Sequence, residues 1–399
     1  MKIAILTNKL PYPPKDGGSI ATLNMITGLS DAGHSVTCLS LNTIKHRYPI
    51  EKIPASLSEK IQFHGIDCDS SIKPLRMLRN LLFSKAPYIA ERFYKPDFTK
   101  KLGLLLDEEE FDIVQLEGPY VGHYIDTVRK KSKALISFRA HNVEHRIWER
   151  KAANEKGPFR KIYLKNMAKR LRNFELQVAA KSDCLLTISP LDEQAFRKLG
   201  VKKSMITIPT GLELKEYPST DLPKAPSVFF IGALDWLPNQ EGLEWFLNYV
   251  LDPLQKEVPE LTFHVAGRNA PLAFEKLLSK KQVIYHGEIE DARTFMKSYR
   301  IMVAPLFTGS GIRIKILEAM ALGRPVITTP IGIEGISALN NREVMVSDDP
   351  ETFKNQIITL CEKEDTAQGL IRESRKLIQE NFDTFALSTR ITQFFKEQV

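Results

Sequence analysis

The sequence predicts an α/β protein built from two doubly wound, Rossmann-like domains in series. Three observations carry this. Short apolar runs alternate with helix-length stretches along the whole chain. Each run is nearly free of charge and too short for a buried helix, as strands covered on both faces are. The alternation breaks at the Pro-rich, polar segment 217–226 and then restarts, which marks a linker. Finally, 399 residues are too many for one core and suit two domains of ordinary size.

Taken in order, the first-half runs fall at 3–7, 36–41, 61–66, 112–116, 134–138 and 185–188, with helical stretches such as 20–32 and 161–180 between them. Strand–helix alternation argues for a parallel sheet with helices on both faces. After the break, runs recur at 228–231, 261–266, 283–286, 301–305, 326–328 and 344–346. The expected domains are therefore 1–215 and 216–380. Ligands of open parallel sheets sit beyond the carboxyl ends of the strands, so two facing domains are expected to form one cleft with two walls.

Composition narrows the class. Hydrophobic residues make up 43% and charged residues 26%, which is ordinary for a globular protein. No run approaches the ~18–20 apolar residues of a membrane span. The opening Met1-Lys2-Ile3-Ala4-Ile5-Leu6-Thr7 reads as a first strand and not as a signal peptide. Cys38, Cys68, Cys184 and Cys361 form no C-x-x-C pair, so buried thiols in a reducing cytoplasm are expected, with neither zinc site nor disulfide framework. Residues 1–210 hold 35 Lys+Arg against 22 Asp+Glu, a balance of +13, while the remainder has 21 against 26, a balance of −5. The first half is thus expected to meet something anionic.

The most informative stretch is 307–327. A strand ending at Pro305 leads into Gly309-Ser310-Gly311, then into a helix expected over 312–322, then into another strand. Glycines allow close backbone approach, and a helix N-terminus offers unpaired N–H groups to a phosphate. Arg313 and Lys315 place positive charge in the first turn, against the helix dipole, which a bound diphosphate would explain. Glu318 lies within the apolar run 316–322, where its carboxylate can accept from two ribose hydroxyls. The competing reading is a generic strand–turn–helix with a solvated glutamate.

That stretch resembles the C-terminal signature of the family 4 (group 1) retaining glycosyltransferases, which have the GT-B fold. Five further segments match in order: the loop with Gly17-Gly18; Arg139-Ala140-His141-Asn142-Val143-Glu144; Ile208-Pro209-Thr210-Gly211; Phe230-Ile231-Gly232-Ala233-Leu234; and Val265-Ala266-Gly267-Arg268. The resemblance implies that Glu318 binds the donor ribose and that Gly309, Ser310, Gly311, Ile312, Arg313 and Lys315 surround the diphosphate. It further implies that Gly17, Gly18 and Gly232 line the donor site, that His141 sits near the anomeric centre, and that the final segment, 381–399, crosses back to the N-domain. Two departures stand out. Ser310 replaces the first glutamate of the family's Glu-x7-Glu motif. The loop 233–242 lacks the Arg and Lys many relatives carry, so Arg313, Lys315 and Arg268 are expected to neutralise the leaving group.

Other residues carry plainer alternatives. His141 can be a satisfied structural histidine, Arg268 a surface cation, and Asp16 a helix cap. Glu117 ends a strand and receives no role. Asp67-Cys68-Asp69 reads as a solvated turn, so no metal is expected. The segment 73–85, continued by Arg92-Phe93-Tyr94-Lys95, patterns as a cationic amphipathic helix. It suits either a core-facing helix with a solvated side or an anionic membrane surface met through 73–95.

The expected activity is a hexosyltransferase-type transfer from a nucleotide-diphosphate sugar to a saccharide or lipid-linked acceptor. It is expected to be retaining, free of metal and cofactor, and cytoplasmic with a peripheral membrane association, in cell-surface glycan synthesis. A non-catalytic nucleotide-sugar or partner binder and a nucleotide-sugar 2-epimerase are the alternatives on the same fold. A dehydrogenase is disfavoured because no G-x-G-x-x-G follows the first strand, and nucleic acid because no recognition motif is present.

Overall fold

The computed structural model describes residues 1–309 and 311–398, in two compact units. The first comprises Met1–Gly211 together with the chain from Thr384 on, and the second Leu212–Asp383.

The first unit is a seven-stranded sheet of β1 (Lys2–Thr7), β2 (Ser35–Thr43), β3 (Ile61–Cys68), β4 (Ile113–Glu117), β5 (Leu135–Ala140), β6 (Cys184–Thr187) and β7 (Ser204–Thr207). All neighbours are parallel, in the order β3-β2-β1-β4-β5-β6-β7. Successive residues of β1 serve opposite layers. Ala4 and Leu6 join Phe98, Tyr124 and Phe138 on one face, while Ile3 and Ile5 join Leu29, Ile391 and Phe395 on the other. Burial on both faces is why these strands read as unbroken apolar runs. The last helix, Thr384–Lys396, closes the second layer by packing on the Gly17–Asp31 helix.

The second unit holds β8 (Ser227–Ile231), β9 (Thr262–Ala266), β10 (Val283–Tyr285), β11 (Ile301–Ala304), β12 (Val326–Thr328) and β13 (Met345–Val346). They run parallel in the order β10-β9-β8-β11-β12-β13. Val228 and Phe230 face one core, Phe229 and Ile231 the other. In each sheet the winding reverses direction once, between β1 and β4 and between β8 and β11. Such switch points leave a crevice at the strand ends where ligands bind.

Several expectations need correction. The fourth strand includes Glu117, which places that carboxylate inside the sheet. Strand β7 was not foreseen, because its residues are only partly covered and follow Lys202 and Lys203. The helix after the glycine loop runs Ile314–Ala321, two residues later than expected, because Gly309 and Gly311 hold positive φ of 106° and 85°. The segment 217–226 is not a loose linker. Arg324, fully buried, donates to the Thr220 carbonyl at 2.6 Å and the Asp221 carbonyl at 3.1 Å, and buried Arg300 donates to the Pro223 carbonyl at 2.9 Å. Two buried guanidinium groups need acceptors, and this strap supplies them. The chain passes between units at 211/212 and 383/384, where Leu212 N–H bonds the Phe382 carbonyl at 2.7 Å.

Candidate functional site

In the second unit, the residues after β8 and β11 meet at the switch point. Gly232 follows β8, and its N–H bonds the Ala266 carbonyl at 3.1 Å. The loop beyond it carries Trp236 and Asn239 into a helix, Leu237–Trp245. That helix lies so close to the end of β11 that a Cβ on Gly242 would sit 1.6 Å from the Pro305 carbonyl oxygen. The backbones approach to a distance only glycine permits.

Lys315 projects from the first turn of the Ile314–Ala321 helix to this turn. Its Nζ donates to Asn239 Oδ1 at 3.2 Å and lies 4.0 Å from the centre of the Phe230 ring. Burial, with Arg313 nearby, pushes its ammonium down to about 7. The residue as a whole is half-buried, and its Nζ lies 3.2 Å from where a Cβ on Gly232 would stand. Asn239, itself buried, is held by its own amide donating to the Ala233 carbonyl at 2.8 Å. Arg313 stands at the N-cap of the same helix, buried, with its guanidinium 5.5 Å from the centre of the Trp236 ring. Burial lowers its pKa also. Lys315 and buried Arg313 thus sit together beside Gly309, Gly311 and a helix N-terminus, a clustering of like charge that carries a cost and that a bound anion would offset.

Glu318 sits one turn further along that helix and is half-buried. Its Oε1 accepts the Tyr217 hydroxyl at 2.8 Å. Burial raises its pKa, against the Tyr217 bond and Arg293, which lower it. Ile312 is partly buried against the core on the loop side. Ser310 lies outside the described residues. Arg268 is exposed on the turn after β9, where its carbonyl accepts Leu234 N–H at 2.9 Å.

In the first unit, the switch point gathers Gly17 and Gly18 after β1, Glu117 at the end of β4, and His141 after β5. Gly17 opens a helix capped by Asp16, whose Oδ1 accepts Ser19 N–H at 2.9 Å and also pairs with Lys9. The cap reading of Asp16 therefore holds. Glu117 is the hub. Thr22 Oγ1 at 2.9 Å, Arg139 Nη1 at 3.1 Å and His141 Nε2 at 2.7 Å all reach its Oε2, while Gln115 Nε2 donates to Oε1 at 2.5 Å. Burial would raise this carboxyl, but Arg139 and His141 outweigh it and hold the pKa at about 2. An ionised carboxylate only accepts, so His141 Nε2 carries the proton and the ring orientation is fixed. Behind it, Glu175, fully buried, accepts Glu144 N–H at 2.9 Å and His145 Nδ1 at 2.5 Å. Glu144 accepts the Tyr120 hydroxyl at 2.8 Å.

Asn239, Trp236 and Tyr217 were not picked out from sequence, and Glu117 was noted at a strand end without a role. The available signal was position: Glu117 closes a strand beside the switch point, and Asn239 occupies the loop where cations were missing.

The basic segment folds as the helix Pro74–Phe83, in which Asn80 alone is buried. Leu75 is 85% and Phe83 84% exposed, with Leu78 and Leu82 also exposed. Its apolar side faces solvent, so the core-facing alternative is overturned. No helix among the described residues is long and apolar enough to cross a membrane.

Comparison with known proteins agrees with this geometry. Residues 15–216 match the family described as "Glycosyltransferase Family 4", and residues 225–363 the family "Glycosyl transferases group 1". The chain is 25% identical over 412 residues, covering 99% of both chains, to a 44.6 kDa protein in the cps region of Klebsiella pneumoniae. The fold is similar to that of sucrose-phosphate synthase from Thermosynechococcus elongatus (17% identity, TM-score 0.69, 100% of this chain and 98% of that one). It is also similar to that of Anabaena HepE in complex with UDP (13% identity, TM-score 0.67, all of both chains). The first match alone spans half of the chain, and with two parallel Rossmann-like sheets of the GT-B kind it leads to one conclusion: this protein belongs to glycosyltransferase family 4.

Proposed function

We propose that the second unit binds a nucleotide-diphosphate sugar and that the first unit serves the acceptor and the anomeric centre. The observation that carries this is the pair of cations, Lys315 and buried Arg313, beside Gly309 and Gly311 and within the two turns before Glu318. Breaking the anomeric C–O bond develops negative charge on the diphosphate. Lys315, Arg313 and the helix N–H groups lie where that charge is stabilised best, in an enclosed site. Glu318 takes the ribose hydroxyls, with Tyr217 fixing its carboxylate. Solved relatives described as complexes with UDP and with UDP-glucose support a nucleotide-sugar donor.

On this reading Lys315 and Asn239 take the place of the absent loop cations. Arg268, exposed, is left to the rim of the site. His141 presents its second ring nitrogen, Nδ1, to the sugar or acceptor while Glu117 holds Nε2. The transfer is retaining, with the leaving phosphate taking the acceptor proton, and it uses no cofactor besides the donor. The acceptor is lipid-linked. The outward apolar side of the Pro74–Phe83 helix, with Lys73, Arg76, Arg79 and Lys85 around it, docks on an anionic membrane face. The relative in a cps region supports a place in cell-surface glycan synthesis.

The test is to incubate the protein with a panel of nucleotide sugars, with and without a membrane lipid extract, and follow nucleoside diphosphate release. Release that depends on the extract, with the sugar recovered in the lipid fraction, is expected. Conversion of the donor sugar without any acceptor would instead support the 2-epimerase, and binding without turnover the non-catalytic protein.

A further inference from the structure

Beside the outward helix, the first unit contains an open cavity of about 530 Å³ that no part of the donor chemistry uses. Its wall is made by Met77, Ile89, Trp148, Tyr163, Leu164 and Met167, from four separate helical segments. The mouth is bordered by Ile72, 66% exposed, and Phe159, 87% exposed. Leu75 and Phe83, also exposed, lie on the helix that contributes Met77 to the wall. A soluble domain rarely leaves such a surface and such a cavity side by side without an occupant.

Charge says what kind. Arg92, Lys151 and Arg160 line the same cavity. Arg92 Nε is buried with no hydrogen-bond partner among the described residues, and Lys151 lies 4.9 Å from the centre of the Trp148 ring. The first 210 residues carry the +13 balance. An apolar slot edged by cations fits one hydrocarbon chain bearing an anionic phosphate head.

We infer that this cavity takes the hydrocarbon chain of a phosphate-headed amphiphile, with Arg92, Lys151 and Arg160 meeting the head. Its assignment to the lipid-linked acceptor rests on the transferase reading. The outward helix face meets the surface of the membrane, whereas the cavity draws one chain out of it. The two features are separable by mutation.

The experiment titrates the full-length protein with octyl, decyl and dodecyl phosphate, each below its micelle concentration, by calorimetry. Saturable one-to-one binding is expected, tightening roughly fifteenfold for each two methylenes added. Met77→Glu and Ile89→Glu, at half-buried lining positions, abolish it. Leu75→Ser with Phe83→Ser leaves it unchanged while releasing the protein from phosphatidylglycerol vesicles. A bromododecyl phosphate quenches Trp148 fluorescence, and the quenching is lost in Trp148→Phe. This readout stands even where a charged lining variant fails to fold. Binding with no dependence on chain length, or quenching that survives Trp148→Phe, overturns the inference. Competition identifies the source. Displacement by farnesyl phosphate, and not by dihexanoylphosphatidylglycerol, supports the acceptor chain, and the reverse order overturns that assignment. Nucleotide binding is titrated in the same samples. If it persists while the alkyl phosphates fail to bind, this inference alone falls. If nucleotides fail while alkyl phosphates bind, the cavity stands and the transferase reading falls.

Discussion

His141 Nε2 and Glu117 Oε2 lie 2.7 Å apart at the carboxyl ends of neighbouring parallel strands, with the histidine side chain 18% exposed and the glutamate 2%. On the proposed reading the pair divides its work between stability and chemistry. Glu117 also offsets the buried charge of Arg139 at 3.1 Å. Glu117→Gln therefore strands a buried guanidinium and destabilises the protein by about 3–5 kcal/mol. His141→Ala removes a partly exposed ring and one of the four hydrogen bonds to Glu117, so it lowers the melting temperature much less than Glu117→Gln does, but lowers kcat for transfer by about 100-fold or more. Melting curves and initial rates on the two variants separate these roles. Equal melting shifts in both contradict the division.

Tyr217 orients Glu318 through a 2.8 Å hydrogen bond, and the second carboxylate oxygen and further lone pairs are left to meet ribose on the proposed reading. Tyr217→Phe is expected to weaken nucleoside diphosphate binding about fivefold, the loss of roughly 1 kcal/mol. Deoxyribose analogues lose much less between native protein and variant, because the hydroxyl contact is then already absent. Calorimetric titration of both ligands checks this.

Lys315 supplies a pH signature. Burial holds its free-state pKa at about 7, and a bound diphosphate raises it. Below pH 7 the lysine is charged before and after binding, so affinity is flat on its account. Above pH 7 binding must take up a proton, and affinity falls by up to about tenfold per pH unit. Titration in buffers of different ionisation enthalpy detects the uptake directly. Lys315→Arg, charged throughout, flattens the profile, and a profile equally steep in that variant rules the assignment out.

Glu144 gives a pH dependence of the same sign, in stability. Burial, reinforced by Glu175 and opposed by the Tyr120 bond, pushes its carboxyl up to about 7 from 4.5. The folded state then binds the proton more tightly than the unfolded chain. Its contribution is fully present below about pH 4.5 and is lost as pH rises through 7. The loss amounts to about 3 kcal/mol. Glu144→Gln keeps an acceptor for Tyr120 and cannot ionise. The stability difference between variant and native protein should therefore grow in the variant's favour from acid to neutral pH, as read by urea denaturation.

Much of the architecture was legible because both sheets are covered on both faces. Ile3–Thr7 and Phe229–Ile231 have no polar side to blur them. The glycine loop, Lys315 and Glu318 were legible because their chemistry is local: a turn, a helix start and a residue one turn on. What could not be read were relationships across the chain. Glu117 and His141 are 24 residues apart and joined only by sheet register. The strap 217–226 looked like a linker because its polar residues and prolines carry no sign of the buried Arg324 and Arg300 that bind it. The outward face of the Pro74–Phe83 helix was ambiguous because amphipathic spacing says that a helix has an apolar side, not what that side meets.

On the proposed reading, the second unit's glycine loop and helix hold a nucleoside diphosphate. Thermal shift with a panel of nucleoside diphosphates, on native protein, Glu318→Ala, Lys315→Met and His141→Ala, tests it most directly. A rise in melting temperature is expected for one nucleotide, lost in Glu318→Ala and Lys315→Met and kept in His141→Ala. A folded native protein that no nucleotide stabilises, or a shift that survives Glu318→Ala in full, would contradict it.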